Sequence, residues 1–329
     1  MIDMNSDKED TARELEVQET IEESAEEYLH RTNTKRAFTG MYIVWLRDVK
    51  RFWRDTPRRV GAFVQPLIYL FLLGTGLQAA FKVFGSGNTK YILFMFPGIL
   101  GMTVLFTSVF SAISILWDRE FGFLKEVLVS PVPRSSVAFG KIIGGATQAM
   151  IQGVILLILM FFPFMYGLSL STLWKALALI PLVLLLAIGM TSIGVAIAAN
   201  MKSMEGFPMV MNFLLLPLFF LSGAMFPLQG LPGWMNVLTK INPLSYGVDM
   251  LRGVTLKGVN VSGTGSSLLS KIPQQVLAKI PPQAQTALAN ASQMKLQTQR
   301  YPLWLDVTVV SAFSVAMLLI AIWQFSRQE

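Results

Sequence analysis

Apolar and polar positions alternate along this chain on two scales, and both point to helices in a membrane. The short scale appears at residues 38–54. Phe38, Met41, Tyr42, Trp45, Leu46, Val49, Phe52 and Trp53 recur at the spacing of one helical face, while Arg47, Lys50, Arg51 and Arg54 take another side. A Trp-rich face beside a basic one predicts a helix lying in the membrane interface over residues 38–59. The long scale is a series of six apolar runs: Val60–Phe81, Tyr91–Ile115, Val137–Pro163, Thr172–Ala199, Pro208–Phe226 and Leu303–Phe325. Each is long enough to cross the roughly 30 Å hydrocarbon layer. The predicted fold class is an all-α polytopic membrane protein, with an interfacial helix ahead of a six-span domain over residues 60–329.

Polar stretches divide these runs. Residues 1–37 form a tail, residues 116–136 separate the second and third spans, and residues 227–302 precede the last. Within that long segment Leu231–Arg252 is semi-apolar but broken by Pro232 and Pro243. It is too short to cross, and predicts one or two re-entrant helices whose backbone ends need protein cover. Gly253–Arg300 is rich in Gly, Ser, Gln and Ala and reads as an external cap, with short helices near Gln274–Lys279 and Gln283–Leu296. Pro97, Pro181 and Pro217 predict kinks. Gly140 and Gly144, and the small side of the fourth span (Gly189, Ser192, Gly194, Ala196), let helices approach closely.

Charge orients the pattern. Only 14% of residues are charged, against about 25% in soluble domains. Residues 1–30 hold eleven Asp and Glu against Lys8 and Arg13; this acidic tail has no signal-peptide pattern. Eight Lys and Arg lie between Lys35 and Arg59, and Arg119, Lys125, Arg134 and Lys141 follow the second span. The positive-inside rule then places both termini and the 116–136 loop in the cytoplasm and residues 227–302 outside, in a multi-pass protein of the plasma membrane. The basic balance is accounted for by topology and membrane lipids, so nucleic acid is not an expected partner. The chain has no cysteine, and its single histidine, His30, lies in the polar tail, so no metal site is expected.

The catalytic inventory is short. No carboxylate pair, Ser–His arrangement or ligand cluster can be assembled, which excludes the common enzyme chemistries. Ionisable residues within the spans fall near their ends, at Lys141, Lys175 and Asp306. A carrier driven by an ion gradient usually needs such groups deep in the bundle. The chain also has no GxxxxGK[ST] phosphate loop, so ATP, with Mg, would be bound by a separate subunit, leaving this chain without a cofactor. A stroke delivered by that subunit would fall on the charged segment Trp117–Lys141.

The segment DREFGFLKEVLVSPVPRSSVAFGKIIGGATQ resembles the cytoplasmic coupling segment of type-2 ABC exporter permeases, in the style of the daunorubicin- and doxorubicin-resistance branch. The features that carry the likeness are Asp118-Arg119-Glu120, Gly122, Leu124 with Glu126, Ser130-Pro131 to Arg134, and Gly140-Lys141. Phe219–Gly253 is similar to the family's signature at the end of the fifth span. The resemblance implies a permease dimer, with two identical copies the simplest case, bound to two ABC ATPase subunits. It implies that Asp118, Arg119, Glu120, Phe121, Gly122, Leu124, Glu126, Leu128, Pro131 and Arg134 form the surface coupled to the ATPase. In such a segment the apolar ridge docks, the charges set register, and Pro131 and Pro133 stiffen the turn.

The family also implies a path between protomers along the second and fifth spans. Met102, Phe106 and Phe110 share a face on the second; Met211, Leu215 and Leu218 share one on the fifth, beside Asn212. Leu221, Ser222 and Gly223 break the outer end of the fifth span and would form a constriction. Met and Phe walls adapt to varied apolar shapes. The function expected is ATP-driven export of a hydrophobic or amphipathic molecule such as a drug, antibiotic or lipid. The alternatives are export of a polysaccharide or lipid-linked glycan by the same architecture, and an ion-gradient-driven carrier.

Overall fold

A computed structural model describes residues 35–76, 91–122, 132–163, 165–225, 228, 231–257 and 300–327. The acidic tail up to residue 34, the expected cap helices and residues 123–131 of the coupling loop lie outside the described residues. Among the described residues there is helix and no strand.

The interfacial helix, α1, covers residues 35–54. Its apolar positions share one side of the helix, as the sequence pattern predicts, but among them only Phe52 is buried. Phe38, Tyr42 and Trp53 are exposed, in the position expected for lipid contact. The packed stripe is a different row, Gly40, Val44, Asp48 and Phe52. That i, i+4 row contains a glycine and an aspartate, so a count of apolar residues passes over it. After Asp55 the chain enters α2 (Thr56–Ile68), which continues as a π-helical turn, Tyr69–Leu73. Pro57 suits the first turn of such a helix, where its missing N–H has no intrahelical partner anyway.

Next comes α3 (Tyr91–Ser111), followed after Ala112 by α4 (Ile113–Glu120). The expected loop therefore begins later than residue 116, because the helix runs on to Glu120. The remaining elements are α5 (Arg134–Ile158), α6 (Leu170–Asn200), α7 (Gly206–Phe220), α8 (Gly233–Ile241), α9 (Pro243–Thr255) and α10 (Leu303–Ser326). The long α6 is the centre of the bundle and packs on α3, α5, α9 and α10. Its small residues explain this. Gly194 lies against the backbone of Val109, and Gly189 against Ser314. Bulkier side chains at either position would hold the helices apart.

Five stretches of described helix are long and apolar enough to cross a membrane. The expected fifth span is not among them. α7 has 15 residues, which at 1.5 Å each rise about 22 Å, short of the roughly 30 Å core. It ends because the chain turns sharply: Gly223 has φ +74°, a conformation open to glycine. The expected re-entrant segment folds as the two short helices α8 and α9, and α9 packs on α3, α6 and α10.

The turn after α7 lies against α3 at Gly98, where an added Cβ would fall 2.0 Å from the Ala224 carbonyl oxygen. The obstacle is backbone, so relief needs a shift of the turn. Gly98→Ala is expected to lower stability by about 1–3 kcal/mol through overpacking, read as a fall in the detergent-solubilised melting temperature. Gly61→Ala, with open space around it, is the control expected to cause no fall.

Candidate functional site

Three elements meet where the charge pattern assigns the cytoplasmic side. Gly140 and Gly144 of α5 are the seat for α1: a Cβ on Gly140 would fall 2.8 Å from the Met41 carbonyl, and one on Gly144 would fall 3.3 Å from Asp48 Cβ. The glycine step is thus specific to α1, beyond general bundle packing. It lets α1 settle close enough for Asp48 to reach Lys141, the residue after the first of the two glycines. Trp45 Nε1 donates to Thr147 Oγ1 at 3.0 Å one turn further on.

Lys141 is the hub. Its side chain is 2% exposed, and its Nζ lies 2.9 Å from Asp48 Oδ2, 3.1 Å from Ser114 Oγ and 2.5 Å from Asp118 Oδ2. All three donors of the ammonium can be used on α1 and α4. Ser114 donates to Asp48 Oδ2 at 3.3 Å. Arg47 donates to both Asp48 and Asp118, Arg51 lies 3.7 Å from Asp118, and the Arg51 guanidinium stacks 4.2 Å over the Trp117 ring. An ammonium in this setting has to be neutralised, since a bare buried charge would cost several kcal/mol. Burial opposes charge on Asp48, but Lys141 and Arg47 together outweigh it and hold its carboxyl below the usual carboxylate range.

The expected coupling residues divide on this geometry. Asp118 turns inward to Lys141, so its charge is spent inside the fold and it does not face a docking partner. Arg119 donates to the Ala199 and Met201 carbonyls at 3.0 and 2.5 Å, closing the end of α6. Glu120 and Phe121 are exposed, Phe121 by 77%. Gly122 has φ +78° and turns the chain out of the helix. Arg134 is exposed and its Nη1 approaches the Ser326 carbonyl at 3.5 Å. Leu124, Glu126, Leu128 and Pro131 lie outside the described residues.

The expected path residues also divide. Phe106 and Phe110 stack at 6.3 Å and meet Phe219 and Phe207 of α7 edge to face. Met102 and Phe106 line a pocket with Gln65 and Pro66 of α2 and Tyr69 of the π-helical turn. Thr107 in that wall donates to the buried Gln152 of α5. Met211 and Leu215 do share a face, but that face is sealed, with both fully buried. Leu218 is half-buried, and Asn212 lies on the opposite, exposed side with Met209, Phe213 and Leu216. Periodicity identifies the two faces of an all-apolar helix but not which one points inward.

At the outer end, the re-entrant helices satisfy the carbonyls that short α7 leaves open. Asn242 Nδ2 donates to Leu218 O at 2.7 Å, Ser245 Oγ to Leu221 O at 3.1 Å, and Arg252 Nη2 to Gly223 O at 2.8 Å. Of the expected constriction, Ser222 and Gly223 are buried and Leu221 is half-buried. Asp249 accepts from the backbone N–H groups of Arg300 and Tyr301 at 2.8–3.0 Å, tying the start of the last described stretch to α9. Sequence reading passed over Asp48, Asp249 and Arg252 because each stands in an element that does not itself span.

Residues 39–256 match the family described as ABC-2 type transporter. A transport permease named ycf38 from Cyanophora paradoxa is 31% identical over 234 residues, 68% of this chain and 79% of that protein. The doxorubicin resistance ABC transporter permease protein DrrC of Mycobacterium tuberculosis is 26% identical over 238 residues, 69% of this chain and 80% of its own length. Nodulation protein J of Rhizobium meliloti is 28% identical over 204 residues, 60% and 73% of the two chains. The family match takes in most of the interfacial helix, the charged hub and the re-entrant helices.

Removing one partner of a buried pair typically costs about 3–5 kcal/mol, since the other charge is stranded. Lys141→Met is therefore expected to lower the melting temperature strongly, because it leaves two buried carboxylates sharing the partly exposed Arg47. Lys141→Met with Asp48→Leu is expected to recover a large part of that loss, and a non-additive double-mutant cycle in thermal unfolding is the check. The stabilisation from Asp48 is complete above its ordinary value near pH 4 and is lost only as pH falls through the lowered value. The hub should accordingly stay locked between pH 5 and 8.

Proposed function

The chain belongs to the ABC-2 type transporter family, and from that premise we propose that this multi-pass permease exports a hydrophobic or amphipathic molecule, driven by ATP hydrolysed on a separate subunit. The observation that carries the coupling is the Lys141 hub. It ties α1, α4 and α5 together beside the helix end that carries the exposed Glu120 and Phe121 and the half-buried Gly122. A push on that exposed end enters a unit held by buried ion pairs rather than a loose loop.

In this reading two ABC ATPase subunits, each with ATP and Mg, engage the 116–136 segments of two copies of this chain from the cytoplasm of the cell. Phe121 supplies an apolar knob and Glu120 a charge for the ATPase surface. Asp118 and Arg119 work on the inner side, fixing the same helix end to α5 and α6. Closure of the ATPases would tilt α1, α4 and α5 as one lever. Because α3 continues directly into α4, the tilt would pass into the second span and on to α7 through Phe106, Phe110, Phe207 and Phe219.

The exposed face of α7 offers Met209, Phe213, Leu216 and Phe220 with a single amide, Asn212. Set against a second copy, such a wall suits a largely apolar cargo. The name of DrrC as a doxorubicin resistance permease supports a drug or antibiotic among the candidates. A glycan cargo would call for more polar groups along this face.

Two variants test the coupling. Gly122→Pro cannot hold the positive φ of the turn, and Glu120→Arg reverses the charge at the exposed end. Each is expected to abolish drug export and substrate-stimulated ATP hydrolysis by at least about tenfold while the chain remains in the membrane with an unchanged melting temperature. The measurement is dye or drug efflux from proteoliposomes holding both subunits. Wild-type export by both variants would remove the coupling role, and ATP turnover by the purified chain alone would defeat the separate-subunit reading.

A further inference from the structure

Beside the hub, α1, Asp55 and Trp117 border an open cleft of about 580 Å³ lined by Arg47, Lys50, Arg51, Arg54, Asp55 and Trp117. Four basic side chains share it with one acid. Arg47 and Arg51 are engaged with Asp118. Lys50 and Arg54 make no ion pair among the described residues, and both are exposed. The hub does not need these two charges.

The place of the cleft narrows what it can take. Arg54 is the last residue of α1, and α2 begins two residues later at Thr56. The cleft therefore sits at the headgroup level, next to the start of the first span. On the adjoining side of the same helix Tyr42 and Trp53 are 55% and 56% exposed, with Leu46 between that side and Lys50. A cationic cleft that borders an aromatic, lipid-facing row matches a molecule with an anionic head and an apolar tail. Arginine and lysine are well suited to a phosphodiester, the first by forked donation and the second as a point charge.

We infer that this cleft is a binding site for one anionic phospholipid of the inner leaflet, with the phosphate between Lys50 and Arg54 and the chains along Tyr42 and Trp53. The occupied site would fix the depth and tilt of α1, and so set the resting position of the lever proposed above. Binding itself rests on the cleft alone and can be measured without transport. This is a discrete, saturable site, unlike the diffuse attraction of a basic segment for a charged surface.

The test uses the full chain in nanodiscs of phosphatidylcholine doped with phosphatidylglycerol, with retained lipids counted by native mass spectrometry. The wild type is expected to saturate at one phosphatidylglycerol per chain. Lys50→Gln with Arg54→Gln is expected to weaken that binding about thirtyfold, as the loss of two charges near the surface implies. Lys50→Arg with Arg54→Lys should retain it. Should the double variant fail to insert, Lys50→Gln alone is expected to weaken binding about fivefold.

Several results would overturn the site. One is unchanged phosphatidylglycerol retention in the Gln variants. Others are uptake that never saturates, or displacement of the lipid by inorganic phosphate at equal concentration, which would indicate a free-anion site. Loss of the lipid on adding the ATPase, with cross-links from Lys50 to that subunit, would assign the cleft to protein docking.

Discussion

A buried ammonium can persist only where carboxylates and hydroxyls surround it, and that constraint organises the half of this permease next to the coupling segment. Lys141 stands on α5, its carboxylates on α1 and α4, and its hydroxyl on α4. None of the three elements can move away alone without stranding a charge. The flanking glycines at 140 and 144 make the geometry possible by admitting α1 to contact. An interfacial helix that could have floated on the membrane is thereby made part of the bundle. Apolar packing could hold it as firmly, but it would allow sliding. The ion pairs specify one register.

The outer half answers a different constraint. A helix that ends after 15 residues leaves its last carbonyls without partners, and lipid offers none. The re-entrant helices resolve this with side chains: Asn242, Ser245 and Arg252 each donate to a carbonyl at the end of α7 or in the turn after it. Gly98 and Gly223 allow the turn to lie flat against α3. The outer turn is thus held by hydrogen bonds, while the inner elbow is held by ion pairs. The aromatic contacts between α3 and α7 lie between the two.

Much of this was legible in the sequence. Six apolar runs, an interfacial helix and a broken re-entrant segment follow from hydropathy and proline placement, and the family from the coupling segment. The shortfall comes from burial, which hydropathy does not encode within a membrane protein. Asp118 reads as part of the ATPase-facing surface because its partner Lys141 is 23 residues away, and only the fold brings them together. Asp48 reads as one more charge on a polar face, although its row with Gly40, Val44 and Phe52 was the available signal. Met211 and Leu215 read as a pathway wall because apolar residues cover every face of α7. Pro217 and Gly223 were visible, but whether the helix crosses depends on how the turn after it is covered.

The claim at the centre is that α1 and α5 move as one body when ATP drives transport. The chain has no cysteine, so a single engineered pair can be joined without background. Trp45 and Thr147 touch across the two helices, and Trp45→Cys with Thr147→Cys can be bridged by a short bis-maleimide in proteoliposomes holding both subunits. Transport by the bridged protein should equal that of the same variant left unbridged. Loss of transport on bridging, with ATP binding intact, would show that the two helices must part during the cycle and would contradict the account.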